Sequence, residues 1–203
     1  MKLFYTPGTG SLAPHIALRE AGLDFQLERV SLRTKTTESG EDFHGINPHG
    51  YVPVLQLDDG GHLTEGPAIL QFLADLAPSR NLAPANGTLE RYRLQELLSF
   101  IATELHKNFA VLVDEAYPEE GKRMAHERLA RRLRSMEARL ASQPHLMGTD
   151  FTVADAYLFT VLSWCAYLQV DLSPFPALRS FQARVMERPQ VQATLKAEGL
   201  LKS

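Results

Sequence analysis

The chain reads as an α/β domain followed by an all-α domain, and three observations carry that prediction. Strand-like and helix-like periods alternate as far as Leu76, a stretch without any period follows, and every later periodic segment is helical. With 203 residues and 44% apolar content, the chain can bury a substantial core as one large domain or two small ones side by side.

Residues 2–5 form a short strand candidate, closed by Pro7-Gly8-Thr9-Gly10. Ser11 can cap a helix running to Ala21, with Pro14 tolerated in its first turn and Gly22 as its stop. Residues 25–32 alternate and predict a second strand, parallel to the first by the βαβ rule. Residues 33–47 are polar and offer a loop with one short helix. Residues 52–57, the turn Asp58-Asp59-Gly60-Gly61 and residues 62–64 predict an antiparallel hairpin. Pro67 then sits at the first position of a helix whose apolar face is Ile69, Leu70, Leu73 and Leu76. A βαβ unit followed by ββα is the order expected of a thioredoxin-like fold.

Residues 77–88, rich in Pro, Asn, Gly and Ser, form the linker. Domains over residues 1–80 and 88–203 follow. The second holds amphipathic helices at 90–113 and 119–140, with shorter ones near 152–168, 175–187 and 190–198. Thr152-Val153-Ala154-Asp155 has the form of a capping box, a folding signal and not a catalytic one.

The formal charge of −3, from 21 basic and 24 acidic residues well mixed, gives no single-sign field for nucleic acid or an anionic membrane. One cysteine, Cys165, excludes an intramolecular disulfide framework and agrees with a reducing compartment, so a cytoplasmic protein is expected. It lies beside Trp164 on an apolar helix and reads as core. No leader and no membrane span are expected, and the seven histidines lack clustered ligand spacing, so no metal is expected either.

Two dipeptides carry the chemistry. Pro53 starts a strand and lacks a ladder donor. If Val52-Pro53 is cis, Val52 turns its own N–H and C=O outward, where an extended peptide can pair with them. Taken alone, a Val-Pro step more often just blunts an edge strand. Glu65-Gly66-Pro67 opens a helix directly after a strand, setting free N–H groups and the positive helix end beside the same edge. That suits a carboxylate, while the Glu65 charge suits an ammonium next to it; taken alone, Glu65 is simply an acid at a helix N-terminus.

Several runs together resemble the N-terminal domain of bacterial beta-class glutathione transferases: Lys2-Leu3-Phe4-Tyr5, Pro7-Gly8 before Ser11-Leu12-Ala13, Asn47-Pro48-His49-Gly50-Tyr51-Val52-Pro53-Val54-Leu55, and Leu63-Thr64-Glu65-Gly66-Pro67-Ala68-Ile69. Thr103-Glu104-Leu105-His106-Lys107 and Phe151-Thr152-Val153-Ala154-Asp155-Ala156-Tyr157-Leu158-Phe159 resemble that family's helical-domain motifs, so the match spans essentially the whole chain. The resemblance implies a homodimeric enzyme that binds glutathione as cosubstrate and presents its thiolate to a small hydrophobic electrophile. It places Val52, before Pro53, against the cysteinyl backbone of glutathione, and Glu65 with Gly66 at the γ-glutamyl end. Lys35 faces the glycyl carboxylate, Thr103 and Glu104 reach a neighbouring subunit's glutathione, and His106 lines the site near the sulfur. Ser99 stands where many relatives carry asparagine. On sequence alone, Lys35 is as easily a solvated lysine and His106 a surface histidine.

Position 10 departs from the pattern. The family characteristically has cysteine there, and this chain has Gly10, which offers backbone N–H groups but no protein thiol. Ser11 is therefore the first candidate to donate a hydrogen bond to the sulfur, with His106 second; the bland role for Ser11 is helix capping. Tyr5 is read as a buried strand tyrosine. Gly10 also gives weight to an alternative, a glutathione-binding or interaction protein of the same fold with little transferase activity. Redox catalysis through a protein thiol is disfavoured because Cys165 lies far along the helical domain.

Overall fold

The computed structural model describes residues 1–201 as two compact units, Met1–Ala83 with the C-terminal segment from Arg188, and Pro84–Glu187. In the first unit the strands are β1 (Lys2–Tyr5), β2 (Gln26–Ser31), β3 (Thr36–Thr37), β4 (Val54–Gln56) and β5 (His62–Thr64), joined in one sheet of order β3-β2-β1-β4-β5. β1 pairs parallel with β2, and the other pairings are antiparallel. The central strand is a continuous apolar run because both its faces are covered: Leu3, Phe4 and Tyr5 are all buried. Phe4 joins Val30, Phe43 and Val54 in one cluster, with Ile46 and Val52 packed against it.

Helices α1 (Leu12–Ala21) and α2 (Gly66–Leu76) pack against each other. Gly22 ends α1 in the left-handed conformation, at φ 68°, as its position in the sequence suggests. Two local details of this unit were not legible in the sequence. Strand β3 is only two residues long and is held by register with Val30 and Ser31, while the short helix expected nearby is one 3₁₀ turn, Phe43–Gly45. The last helix, numbered α8 (Pro189–Ala197), packs on α1 and groups with the α/β unit, although its sequence pattern assigns it to the helical domain. Arg188 forms a bidentate pair with Glu20 at 2.7 and 2.8 Å, and the Glu198 carboxylate lies 2.8 Å from His15 Nδ1.

The second unit comprises α3 (Leu89–Phe100), α4 (Lys107–Val113), α5 (Glu119–Leu140), α6 (Val153–Ser163) and α7 (Pro176–Met186). Between α3 and α4 the backbone widens into a π-helical turn, Ile101–His106, so the single helix expected over 90–113 carries an inserted residue. The ten residues Val153 to Leu162 of α6 are all buried, which makes it the central helix. The capping box forms: Asp155 accepts hydrogen bonds from the Thr152 N–H and hydroxyl and from the Leu146 N–H, at 2.8, 2.9 and 2.7 Å. Burial nevertheless pushes its carboxyl up to about 6, against those bonds. Helix α6 stops at Ser163, short of the expected 168, and 164–169 continue as turns. Among the described residues, no helix is long and apolar enough to cross a membrane.

Candidate active site

The sheet register decides which residues of the first unit meet. Val54 pairs with Thr64 and Phe4 with Val54, so Val52-Pro53 before β4, Glu65-Gly66 after β5 and the loop after β1 adjoin the same end of the sheet. Val52-Pro53 is cis. The Val52 side chain packs on the Phe4 cluster, while its N–H and C=O bond to no described residue. This is an open peptide edge anchored from behind.

Beside it, α2 begins without a side-chain cap. The Ala68 and Ile69 N–H groups both bond to the Glu65 carbonyl at 3.0 Å, and Pro67 has no N–H, so the donor left open in the first turn is that of Gly66. Several free N–H groups were expected, and the structure narrows them to this one. Glu65 adopts φ 65° and ψ 113°, a conformation costing a non-glycine residue about 1–3 kcal/mol. Its side chain is exposed and bonds to no described residue. Backbone strain and a free carboxylate coincide at the start of α2.

Lys35 also has a positive φ, 56°, and its ammonium donates to the Gly50 carbonyl at 3.0 Å, two residues before Val52. Gly50 itself sits at φ 65°, and a Cβ there would come within 2.9 Å of the His44 ring and 3.4 Å of the Lys35 stem. Lys35 is thus half-buried against the approach to the clamp and is not a freely solvated lysine.

The loop after β1 is braced internally. Ser11 is fully buried, and its hydroxyl accepts from the Thr6 N–H at 3.1 Å while lying 3.1 Å from the Thr6 carbonyl and 2.9 Å from the Thr9 hydroxyl. It makes no capping bond to α1. Its proton is taken up within the loop, so serving a sulfur would mean leaving these partners. Gly10 is buried, and its N–H donates to no described residue. From below, the buried Glu198 carboxylate accepts from the Gly8 N–H at 2.9 Å and meets His15, and the Arg19 Nε donates to His15 Nε2 at 3.3 Å. Glu198 and His15 were missed in the sequence; a glutamate 183 residues from its partner leaves no local signal. Tyr5 is buried near Glu198, and burial with that negative charge raises its phenol above the ordinary range, which fits a core tyrosine.

In the helical unit, Ser99 and Thr103 are exposed one turn apart, with the Thr103 hydroxyl donating to the Ser99 carbonyl at 3.0 Å. Glu104 pairs with Arg132 of α5 at 2.5 Å. His106 differs from a surface histidine. Its Nδ1 lies 2.8 Å from the Tyr157 hydroxyl, and its ring meets Trp164 edge-on at 4.7 Å. Burial, aided by the neighbouring Lys107 charge, pushes it down to about 4, so the imidazole is neutral near neutral pH. Tyr157 is a second residue missed, although a hydroxyl in an otherwise apolar central helix is a usable signal. Cys165 is buried and its thiol is pushed up to about 12 by burial, which leaves it no thiolate to react.

A mixed sheet has an open backbone edge beside an acid-fronted helix start, and the chain continues as an all-helical unit. The family models for the N-terminal and C-terminal domains of glutathione S-transferase match residues 11–76 and 100–189. The chain belongs to the glutathione S-transferase family, on its bacterial beta-class side. It is 47% identical to glutathione S-transferase GstA of Escherichia coli O157:H7, over 98% of this chain and 100% of that one. Among solved structures it is similar to BphK, a bacterial transferase in a ternary complex, at 55% identity and TM-score 0.98, over 98% of this chain and 100% of the other. A sphingomonad glutathione S-transferase complexed with glutathione gives 49% identity and TM-score 0.95, over 99% and 100%. The chain is a glutathione S-transferase, as its sequence motifs imply.

Proposed function

We propose that glutathione lies extended along β4, with its cysteinyl N–H and C=O paired to Val52 beside Pro53. Its γ-glutamyl carboxylate then meets the Gly66 N–H, its ammonium meets Glu65, and Lys35 serves the glycyl carboxylate. The observation that supports this is the open Val52 N–H and C=O at the sheet end where α2 begins. The reaction is attack by the glutathione sulfur on a small hydrophobic electrophile, with the protein supplying thiolate stabilisation and proximity. The backbone at Gly10 serves the sulfur, Ser11 holds the loop that carries it, and His106 is the helical unit's candidate donor to a thiolate. The enzyme works as a homodimer in the cytoplasm, with Ser99, Thr103 and Glu104 directed to the partner's glutathione.

A second reading, a glutathione-binding protein with little turnover, is favoured by one observation: the Ser11 hydroxyl is already committed to Thr6 and Thr9. Glutathione-affinity capture combined with an assay using a general aromatic electrophile separates the two. Transferase activity saturable in glutathione, with a raised KM for glutathione in Glu65→Gln, supports the enzyme reading. Capture without turnover supports the second, and absence of capture overturns both.

A further inference from the structure

We propose that Tyr157 is a positioning residue of the transferase: its hydroxyl donates to His106 Nδ1, fixes the imidazole as the Nε2–H tautomer, and so presents a neutral N–H donor to a thiolate. The assignment of that acceptor rests on the proposed function; the tautomer does not.

The argument begins with the phenol. Tyr157 is 4% exposed on a helix buried on every side, so its hydroxyl needs a protein partner, and His106 Nδ1 at 2.8 Å is one. A neutral imidazole has one nitrogen that donates and one that accepts. A phenol is a strong donor whose oxygen lone pairs are partly drawn into its ring, while the unprotonated imidazole nitrogen is a strong acceptor. The favoured direction is therefore Tyr157 O–H to Nδ1, which leaves the ring proton on Nε2. That Nε2 bonds to no described residue, so the donor is available to a ligand.

The packing makes this donor rigid. Trp164 meets the imidazole edge-on at 4.7 Å and 67°, and the Tyr157 ring lies at 5.9 Å and 71°, so two aromatic side chains limit rotation of the ring. His106 ends the π-helical turn, a backbone widening frequent at functional sites because it re-aims one side chain without breaking the helix. The ring's burial and the adjacent Lys107 charge both oppose the imidazolium, so the donor keeps one form across ordinary working pH. A neutral donor stabilises a thiolate without the strong ion pairing that would blunt its nucleophilicity, a useful property in a chain with glycine at position 10.

The test is long-range proton–nitrogen NMR of the full-length, ligand-free protein labelled with ¹⁵N at histidine. The His106 signals are identified by their loss in His106→Gln. The wild type is expected to show a single tautomer, with Nε2 bearing the proton and Nδ1 shifted by an accepted hydrogen bond; in Tyr157→Phe that Nδ1 shift disappears. In the same variant kcat/KM is expected to fall about tenfold through kcat, with the KM for glutathione unchanged because the Val52 and Glu65 contacts are intact. A proton on Nδ1 in the wild type, or an unchanged Nδ1 signal in Tyr157→Phe, overturns the proposal whether or not the variant is stable. A wild type with the expected tautomer but no transferase activity would instead overturn the proposed function.

Discussion

Replacing Glu198 by alanine removes an acceptor shared by two elements of the α/β unit. Its side chain is fully buried, receives the Gly8 N–H at 2.9 Å and lies 2.8 Å from His15 Nδ1, whose ring is also fully buried. Alanine takes both bonds away without admitting a substitute. The fully buried His15 ring loses its carboxylate partner, at about 1–3 kcal/mol, and the half-buried Gly8 N–H loses one acceptor, at about 0.5–1.5 kcal/mol, so the loss is about 3 kcal/mol. For a chain of this length that lowers the Tm by about 10 °C. Glu198→Gln is the control. Its amide oxygen can still accept one of the two hydrogen bonds, but Arg19 Nε–H donating to His15 Nε2 keeps the ring proton on Nδ1, which the amide NH₂ cannot accept, so an intermediate loss is expected. Thermal unfolding by circular dichroism reads both variants. A shift below about 2 °C in Glu198→Ala would refute the claim that this contact ties α8 and the Gly8 loop to α1, and equal losses in both variants would show that the charge matters more than the bonding pattern.

Further expectations concern the site. Glu65→Gly relieves the positive φ and raises the Tm slightly, by up to about 1 kcal/mol of stability, while the KM for glutathione rises about tenfold or more as a charged contact is lost; a lowered Tm would show that the backbone there is unstrained. His106, at about 4 in the folded chain against an ordinary 6.5, takes up its proton more readily when unfolded, so its contribution to stability is lost as pH falls from 6.5 towards 4. Asp155, raised to about 6, acts in the opposite sense, since the folded chain binds its proton first over the range from 6 down to its ordinary 3.8. Urea unfolding of His106→Gln and wild type at pH 5 and 7 is therefore expected to show the smaller acid loss in the variant. Cys165 is expected to be unreactive to a thiol reagent in the native protein and to titrate fully in denaturant, with transferase activity kept in Cys165→Ser; loss of activity there would restore a thiol mechanism.

What the sequence revealed and what it hid divide by range. The parallel pairing of the first two strands, the Asp58-Asp59-Gly60-Gly61 hairpin turn, the Gly22 stop and the Thr152–Asp155 capping box rest on local patterns, and each formed. The break at Val52-Pro53 and the helix start after Glu65 were legible the same way, because proline chemistry and a helix start are local signals. The π-helical turn escaped notice because one inserted residue only rotates the later part of an amphipathic pattern without ending it. Ser11 was expected to cap α1, but its hydroxyl reaches back to Thr6, since a serine at a loop end can choose either backbone partner. Glu198 with His15, and Tyr157 with His106, are pairings across 183 and 51 residues that only the folded chain brings together. The same distance effect placed α8 with the wrong neighbours in the sequence pattern: its apolar face fits any helical packing, and its partner, α1, lies at the other end of the chain.

The central claim is that the chain itself, without a protein thiol at position 10, stabilises the thiolate of glutathione bound along Val52. Ultraviolet difference titration of bound glutathione against pH measures this directly. A thiol pKa clearly below its ordinary value of about 8.5 is the predicted result. Saturable binding with the thiol pKa unshifted would contradict it.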